Sequence, residues 1–189
     1  MTAAVLLFAV PLLAMRMIAE ERRNQTMTLL LSAPISMTEI VLGKFTGLMA
    51  FLLIIVLLVL AMPLTLAGGT QLDFGLLATL TLALLLLAAG FAAVSLYASS
   101  LTAQPIAAAL IAFGLLLAML LMGETAGDSL RERGWHVPAA LAQVFSPLRN
   151  FEPLGRGIVD SYAIVCPLLL AAGFLMLAIR RLDSRRLRG

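Results

Sequence analysis

The sequence predicts an all-α fold, a polytopic transmembrane helix bundle of about five spans with a cytoplasmic elbow between the first two and interfacial helices outside. Three observations predict it. Hydrophobic residues make up 62% of the chain and charged residues 12%, with a mean hydropathy of +1.06, far outside the range of soluble globular domains. The apolar residues gather into long runs, and lipid admits a spanning backbone only where that backbone satisfies its own hydrogen bonds, as a helix does. The basic residues behind a pI near 9.8 sit at the ends of those runs, a distribution that belongs to membrane orientation and not to nucleic-acid binding. Membrane lipids, and no nucleic acid, are therefore the expected surroundings. So little polar sequence remains between the runs that residues 1–189 are expected to form one membrane domain.

The first run, Thr2 to Met15, would reach only about 21 Å as a helix, short of the hydrocarbon thickness. No basic residue precedes it and no small-residue cleavage site stands before Arg16, so it does not read as a signal peptide. Extended through Ala19 it gives a first span over about 2–19, ending at the charged cluster Glu20 to Arg23, with Pro11 producing at most a kink. The expectation is a helix whose beginning is missing. Four further spans are expected over 40–66, 74–98, 105–122 and 162–179. Lys44 is the one formal charge inside these four runs, near an end from which it can snorkel to the headgroups. Five spans place Arg16, Arg22, Arg23, Lys44, Arg180, Arg181, Arg185, Arg186 and Arg188 on one side and Arg131, Arg133, Arg149 and Arg156 on the other. That excess makes the elbow and the C-terminus cytoplasmic.

The elbow occupies residues 20–38. Ser36-Met37-Thr38-Glu39 has the form of a capping box opening the helix of the second span, and Ala33-Pro34 marks a boundary before it. Glu20 to Ser32 can form a short helix along the cytoplasmic face; a solvated connector is the plainer reading of the same charges. The next cytoplasmic connection, Ser99 to Gln104, is tight and uncharged, and Pro105 suits a first helical turn, which makes the third and fourth spans antiparallel neighbours. The outer connection, 123–161, is long. Within it Leu141, Val144, Phe145 and Leu148 follow Pro138 at helical spacing, predicting an amphipathic helix on the outer surface with Trp135 as an interfacial anchor. Phe151 to Asp160 then turns the chain into the last span.

Catalytic chemistry finds no parts. His136 is the sole histidine and stands in the outer connection without a ligand set, and Cys166, the sole cysteine, sits in an apolar run. Gly43-Lys44-Phe45-Thr46 lacks both the Ser or Thr directly after Lys and the upstream glycine of a phosphate loop. No ionisable side chain stands near the middle of a span, so neither an intramembrane hydrolase nor a proton path is expected. Neither a catalytic residue, a metal nor a bound cofactor is expected in this chain. Gly43 and Gly47 form a G-x-x-x-G suited to close helix packing.

Taken in order, Glu20-Glu21-Arg22, Thr26, the Leu-rich Leu29 to Leu31, Pro34 and Val41-Leu42-Gly43-Lys44 resemble the permease subunit of ABC transporters of the type-2 exporter class, in its gliding-motility-permease-like branch. Ser99 to Gln104, Phe151-Glu152-Pro153 and Arg156 to Asp160 continue the resemblance over nearly the whole chain. Two positions depart, Gln25 where the branch has glycine and Thr28 where it has an acidic residue. Members of the branch carry one span more, so the chain resembles one lacking its first transmembrane helix. The resemblance implies a permease of an ATP-driven exporter in a bacterial plasma (inner) membrane. A separate cytoplasmic ABC ATPase would hold the ATP and Mg, and a second permease copy or paralogue would complete a dimer. It makes 20–38 a coupling elbow whose ATPase-facing residues are Glu20, Glu21, Arg22, Arg23, Thr26, Leu30 and Pro34. A non-transporting membrane scaffold or degenerate permease fragment is the alternative that the sequence leaves open.

Overall fold

The computed structural model describes residues 2–24, 36–65, 73–132 and 146–186, and among them every element is helical. The helices are α1 (Thr2–Arg23), α2 (Met37–Thr65), α3 (Phe74–Leu101), α4 (Pro105–Glu132), α5 (Pro147–Gly155) and α6 (Ser161–Arg186). Among the described residues four helices are long and apolar enough to cross a membrane: α2 over Met37–Pro63, α3 over Phe74–Leu101, α4 over Pro105–Met122 and α6 over Ser161–Ser184. Helix α1, expected as a fifth span, lies beside them with 22 residues, about 33 Å of helix.

Several helices outrun the apolar runs that suggested them. Helix α1 continues through Arg23, so the first four residues of the expected elbow are its last turn, and the expected elbow's Met37 and Thr38 already belong to α2. Helix α4 continues ten residues past Met122 to Glu132, and α6 runs seven past Ile179 to Arg186. The reason is that hydropathy marks where lipid ends, whereas a helix stops only where its backbone bonds do.

Local sequence sets the helix starts. Ser36 and Glu39 close the capping box: the Ser36 N–H donates to Glu39 Oε2 at 2.8 Å and the Glu39 N–H to Ser36 Oγ at 3.2 Å. Asp73 caps α3, its Oδ1 accepting from the amides of Gly75 at 2.9 Å and Leu76 at 3.2 Å. Helix α3 ends at Leu101, Thr102 Oγ1 accepts from the Gln104 amide at 3.1 Å, and Pro105 opens α4 after this three-residue turn.

Helix α3 is the hub, packing against α1, α2, α4, α5 and α6. From Ala83 onward it is apolar nearly all round and almost wholly buried, as a helix surrounded by others must be. Its small residues admit neighbours closely: a Cβ at Gly90 would stand 3.4 Å from Leu170 Cδ2 of α6. One turn pair further on, the rings of Tyr97 and Phe174 meet edge to face at 5.6 Å. Ala83 clusters with Ala163, so α3 and α6 run parallel, and Arg180 and Arg181 come level with the end of α3 that carries Ser99. Helix α2 packs least. Leu42, Phe51, Ile54, Leu58 and Met62 point outward, apolar surface that no described part of the chain covers.

Helix α5 stands inside this frame. Pro147 shares a crevice with Leu86, Leu87 and Pro167, Leu154 packs on Ala83 and Ala163, and Gly157 reaches Leu76. Leu86 and Leu87 are midway along the 28 residues of α3, about 18 to 20 Å from its start. Helix α5 therefore begins halfway down the bundle and climbs beside α3 to the end opposite Ser99. Backbone at that depth is tolerable because protein covers it, and Ser146, which opens the helix, is fully buried.

Candidate functional site

The end of the bundle that carries the basic residues gathers most of the polar side chains singled out by sequence. Glu20 to Arg23 extend α1, and the Asn24 N–H closes the last turn on the Glu20 carbonyl at 2.9 Å. This turn does not hang free of the bundle. Glu21 turns toward α2, where Lys44 Nζ approaches its Oε1 to 2.6 Å, and the same ammonium donates to the carbonyl of Met17. The Lys44 side chain keeps only 14% of its exposure and Glu21 32%, so Lys44 does not snorkel to headgroups as its place in the run suggests. A carboxylate and a carbonyl, both on α1, replace the water it would otherwise need.

On the other flank Ser99 of α3 reaches the same stretch. Its Oγ accepts from the amides of Ile18 at 3.3 Å and Ala19 at 3.0 Å and donates to the Met15 carbonyl at 3.1 Å. Ser99 has no solvent exposure. A buried hydroxyl must find partners, and here one donor and two acceptor positions are all used on the backbone of a neighbouring helix. The sequence offered Ser99 only as part of a tight turn, and nothing local in it points to α1.

The remaining charges of α1 border open space. A cleft of about 650 Å³ is lined by Arg16, Glu20 and Arg23 of α1 and by Gln104, Pro105 and Ile106 at the α3–α4 turn. A second, of about 440 Å³, shares Arg16 and Glu20 and continues past Glu21 and Asn24 to Lys44. Two guanidinium groups, a carboxylate and an amide on such a surface can make charge-assisted hydrogen bonds to a polar partner. They do not form a catalytic set, and among the described residues no three His, Cys, Asp or Glu side chains are placed to hold a metal ion.

A family model described as ABC-2 family transporter protein matches residues 1–180. The chain belongs to the ABC-2 transporter family. No curated protein and no solved structure gives a significant match. Membership makes the chain an integral membrane protein and a permease component of an ABC transporter, a class that works with an ABC ATPase subunit. In this ABC-2 permease Glu20 and Arg23 border the clefts and Glu21 pairs inward with Lys44, while Thr26, Leu30 and Pro34 lie outside the described residues. Arg22 lies on the α1 backbone between them. Trp135, His136, Leu141, Val144 and Phe145 also lie outside the described residues. At Gly43 and Gly47 a Cβ would meet nothing within 4 Å among the described residues.

Proposed function

We propose that this ABC-2 permease is the membrane-spanning subunit of an ATP-driven exporter and that its 20–38 elbow docks a separate cytoplasmic ATPase. One observation supports the reading most: the last turn of α1 carries Glu20 and Arg23 on an open cleft while the turn beneath them is fastened to α2 and α3. A docking handle needs both properties, polar groups left for a partner and a rigid root through which force passes. ATP and Mg would reside on the ATPase, and a second permease copy or paralogue would complete the pore. The basic end then faces the cytoplasm of a bacterial cell, with the C-terminus on the same side. The chain itself supplies no hydrolytic group to the cycle.

Co-expression with an ABC ATPase subunit from the same genome tests the docking. Stable co-purification that weakens in Glu20→Lys and Arg23→Glu supports the assignment. Co-purification equal to native in both variants removes these residues from the interface. If the complex assembles but neither permease substrate nor ATP changes its conformation, the chain is a scaffold and not a pump.

A further inference from the structure

Lys44 and Ser99 hold about two turns of α1 from opposite sides. Between Met15 and Glu21, two carbonyls, two amides and one carboxylate of α1 are taken up by side chains of α2 and α3. Further from this end α1 is held by apolar burial of Leu6, Val10 and Ala14 and by the stacking of Phe8 on Phe113 at 5.0 Å between ring centres. Apolar burial has no direction of its own, whereas hydrogen bonds to buried partners also fix the helix in register and rotation. The polar fastening thus lies at the root of residues 20–24, where any push from the elbow enters the bundle. Helix α3, fastened there by Ser99, also carries the contacts of α5 in the other half of the bundle.

We infer that Lys44 and Ser99 are positioning residues that clamp the root of the elbow to α2 and α3, so that these three helix ends move as one body and α3 carries the motion to α5. The inference rests on the reading of the elbow as the ATPase-docking handle. The clamp has two chemically different halves. Lys44 supplies an ammonium that satisfies a partly buried carboxylate, and Ser99 supplies a hydroxyl that donates and accepts at once. A rigid link of this kind passes a displacement on, while a loosened one absorbs it in local bending of α1.

Hydrogen–deuterium exchange on the permease–ATPase complex in lipid nanodiscs tests it, with ATP and vanadate added or withheld. In the native complex, nucleotide should change exchange both in residues 15–24 and in α5. In the Lys44→Met, Ser99→Ala double variant the change at 15–24 should persist and the change in α5 should be lost, with Lys44→Arg retaining both. A change in α5 that survives in the double variant, or that is absent from the native complex, overturns the inference. If the native chain does not hold an ATPase, the docking reading fails separately. The clamp is then read from the permease alone, where the double variant should raise exchange in residues 15–21 and leave α4 unchanged; equal exchange in variant and native chain overturns it.

Discussion

Lys44 Nζ lies 2.6 Å from Glu21 Oε1, joining α2 to α1 across 23 positions of sequence. The pair is shielded on the lysine side, with 14% of that side chain exposed, and more open on the glutamate side. Deleting the cation takes the ion pair from the Glu21 carboxylate and a hydrogen bond from the Met17 carbonyl. Lys44→Met should therefore destabilise the permease by about 1–2 kcal/mol, between the values for exposed and fully buried pairs. Lys44→Arg should lose less. Thermal unfolding in detergent, followed by intrinsic fluorescence or light scattering, measures the difference; a Lys44→Met protein as stable as native would remove the pair from the account.

Ser99 ties α3 to the same stretch of α1 by neutral hydrogen bonds. Ser99→Ala strips a donor from the Met15 carbonyl and an acceptor from the Ile18 and Ala19 amides, all at a site without water. These groups keep their helical partners within α1, so what is lost is the cross-helix hydrogen bonding, about 0.5–1.5 kcal/mol net. The expected outcome is a lower unfolding temperature with faster amide exchange confined to the α1 stretch that Ser99 touches. Ser100 is its neighbour and also buried, but its hydroxyl donates to Tyr97 within its own helix at 2.6 Å.

Glycine substitutions separate space from backbone conformation. At Gly43 and Gly47 a Cβ meets nothing within 4 Å, and both are helical, so Gly→Ala should leave the isolated permease unchanged or stabilise it by up to about 1 kcal/mol each. Gly157 has φ +81 and a Cβ there would approach Leu76 Cδ1 at 3.4 Å. Gly157→Ala should cost about 1–2 kcal/mol from the left-handed backbone alone. Parallel unfolding curves in one detergent decide it, and a destabilised Gly43→Ala would mean that α2 has a close neighbour at this face.

What the sequence made legible follows a physical line. The all-α bundle, the capping box at Ser36 and Glu39 and the turn ahead of Pro105 rest on local signals, a hydropathy run, a three-residue spacing and a proline, and each is expressed within a few residues. Lys44 was not legible in this way, because its partner is set by how α1 and α2 lie side by side. Ser99 was hidden for the same reason. The depth of α5 was hidden too, as Phe151 and Leu154 make an apolar face that fits a membrane surface and a groove of the bundle alike. The apolar runs also gave spans rather than helices, so Glu20 to Arg23 looked like the start of an elbow where they continue α1.

Charge reversal at the cleft separates docking from folding. Glu20 and Arg23 border open space and are not among the groups that fasten α1, so Glu20→Lys and Arg23→Glu should unfold at the native temperature. Each should nonetheless weaken association with the ATPase about ten-fold, the loss expected for one charge-assisted contact turned repulsive. Glu21→Lys differs in kind. It should lower stability, because it sets a like charge against Lys44, and it should recover when Lys44→Glu is added. Comparing unfolding with co-purification across these variants assigns each acidic residue to the partner or to the bundle.

The placement of α5 halfway along α3 predicts a steep gradient of water access over a few residues. Ser146 is fully buried beside the midpoint of the bundle, whereas Ile158 and Val159 are about 60% exposed near the start of α3. In a Cys166→Ala background, which removes the sole native thiol, Ile158→Cys should react rapidly with a membrane-impermeant maleimide. Ser146→Cys should stay unmodified until detergent or denaturant opens the bundle. Leu154→Cys, between them and packed on Ala83 and Ala163, should also resist the reagent while Glu152→Cys on the exposed side of the same turn reacts. A helix lying flat at the membrane surface would share the difference between Leu154 and Glu152 but show no fall in reactivity from Ile158 to Ser146. Equal labelling at Ser146 and Ile158 would therefore place α5 outside the bundle, and it would detach the first half of α3 from the helix that packs on it.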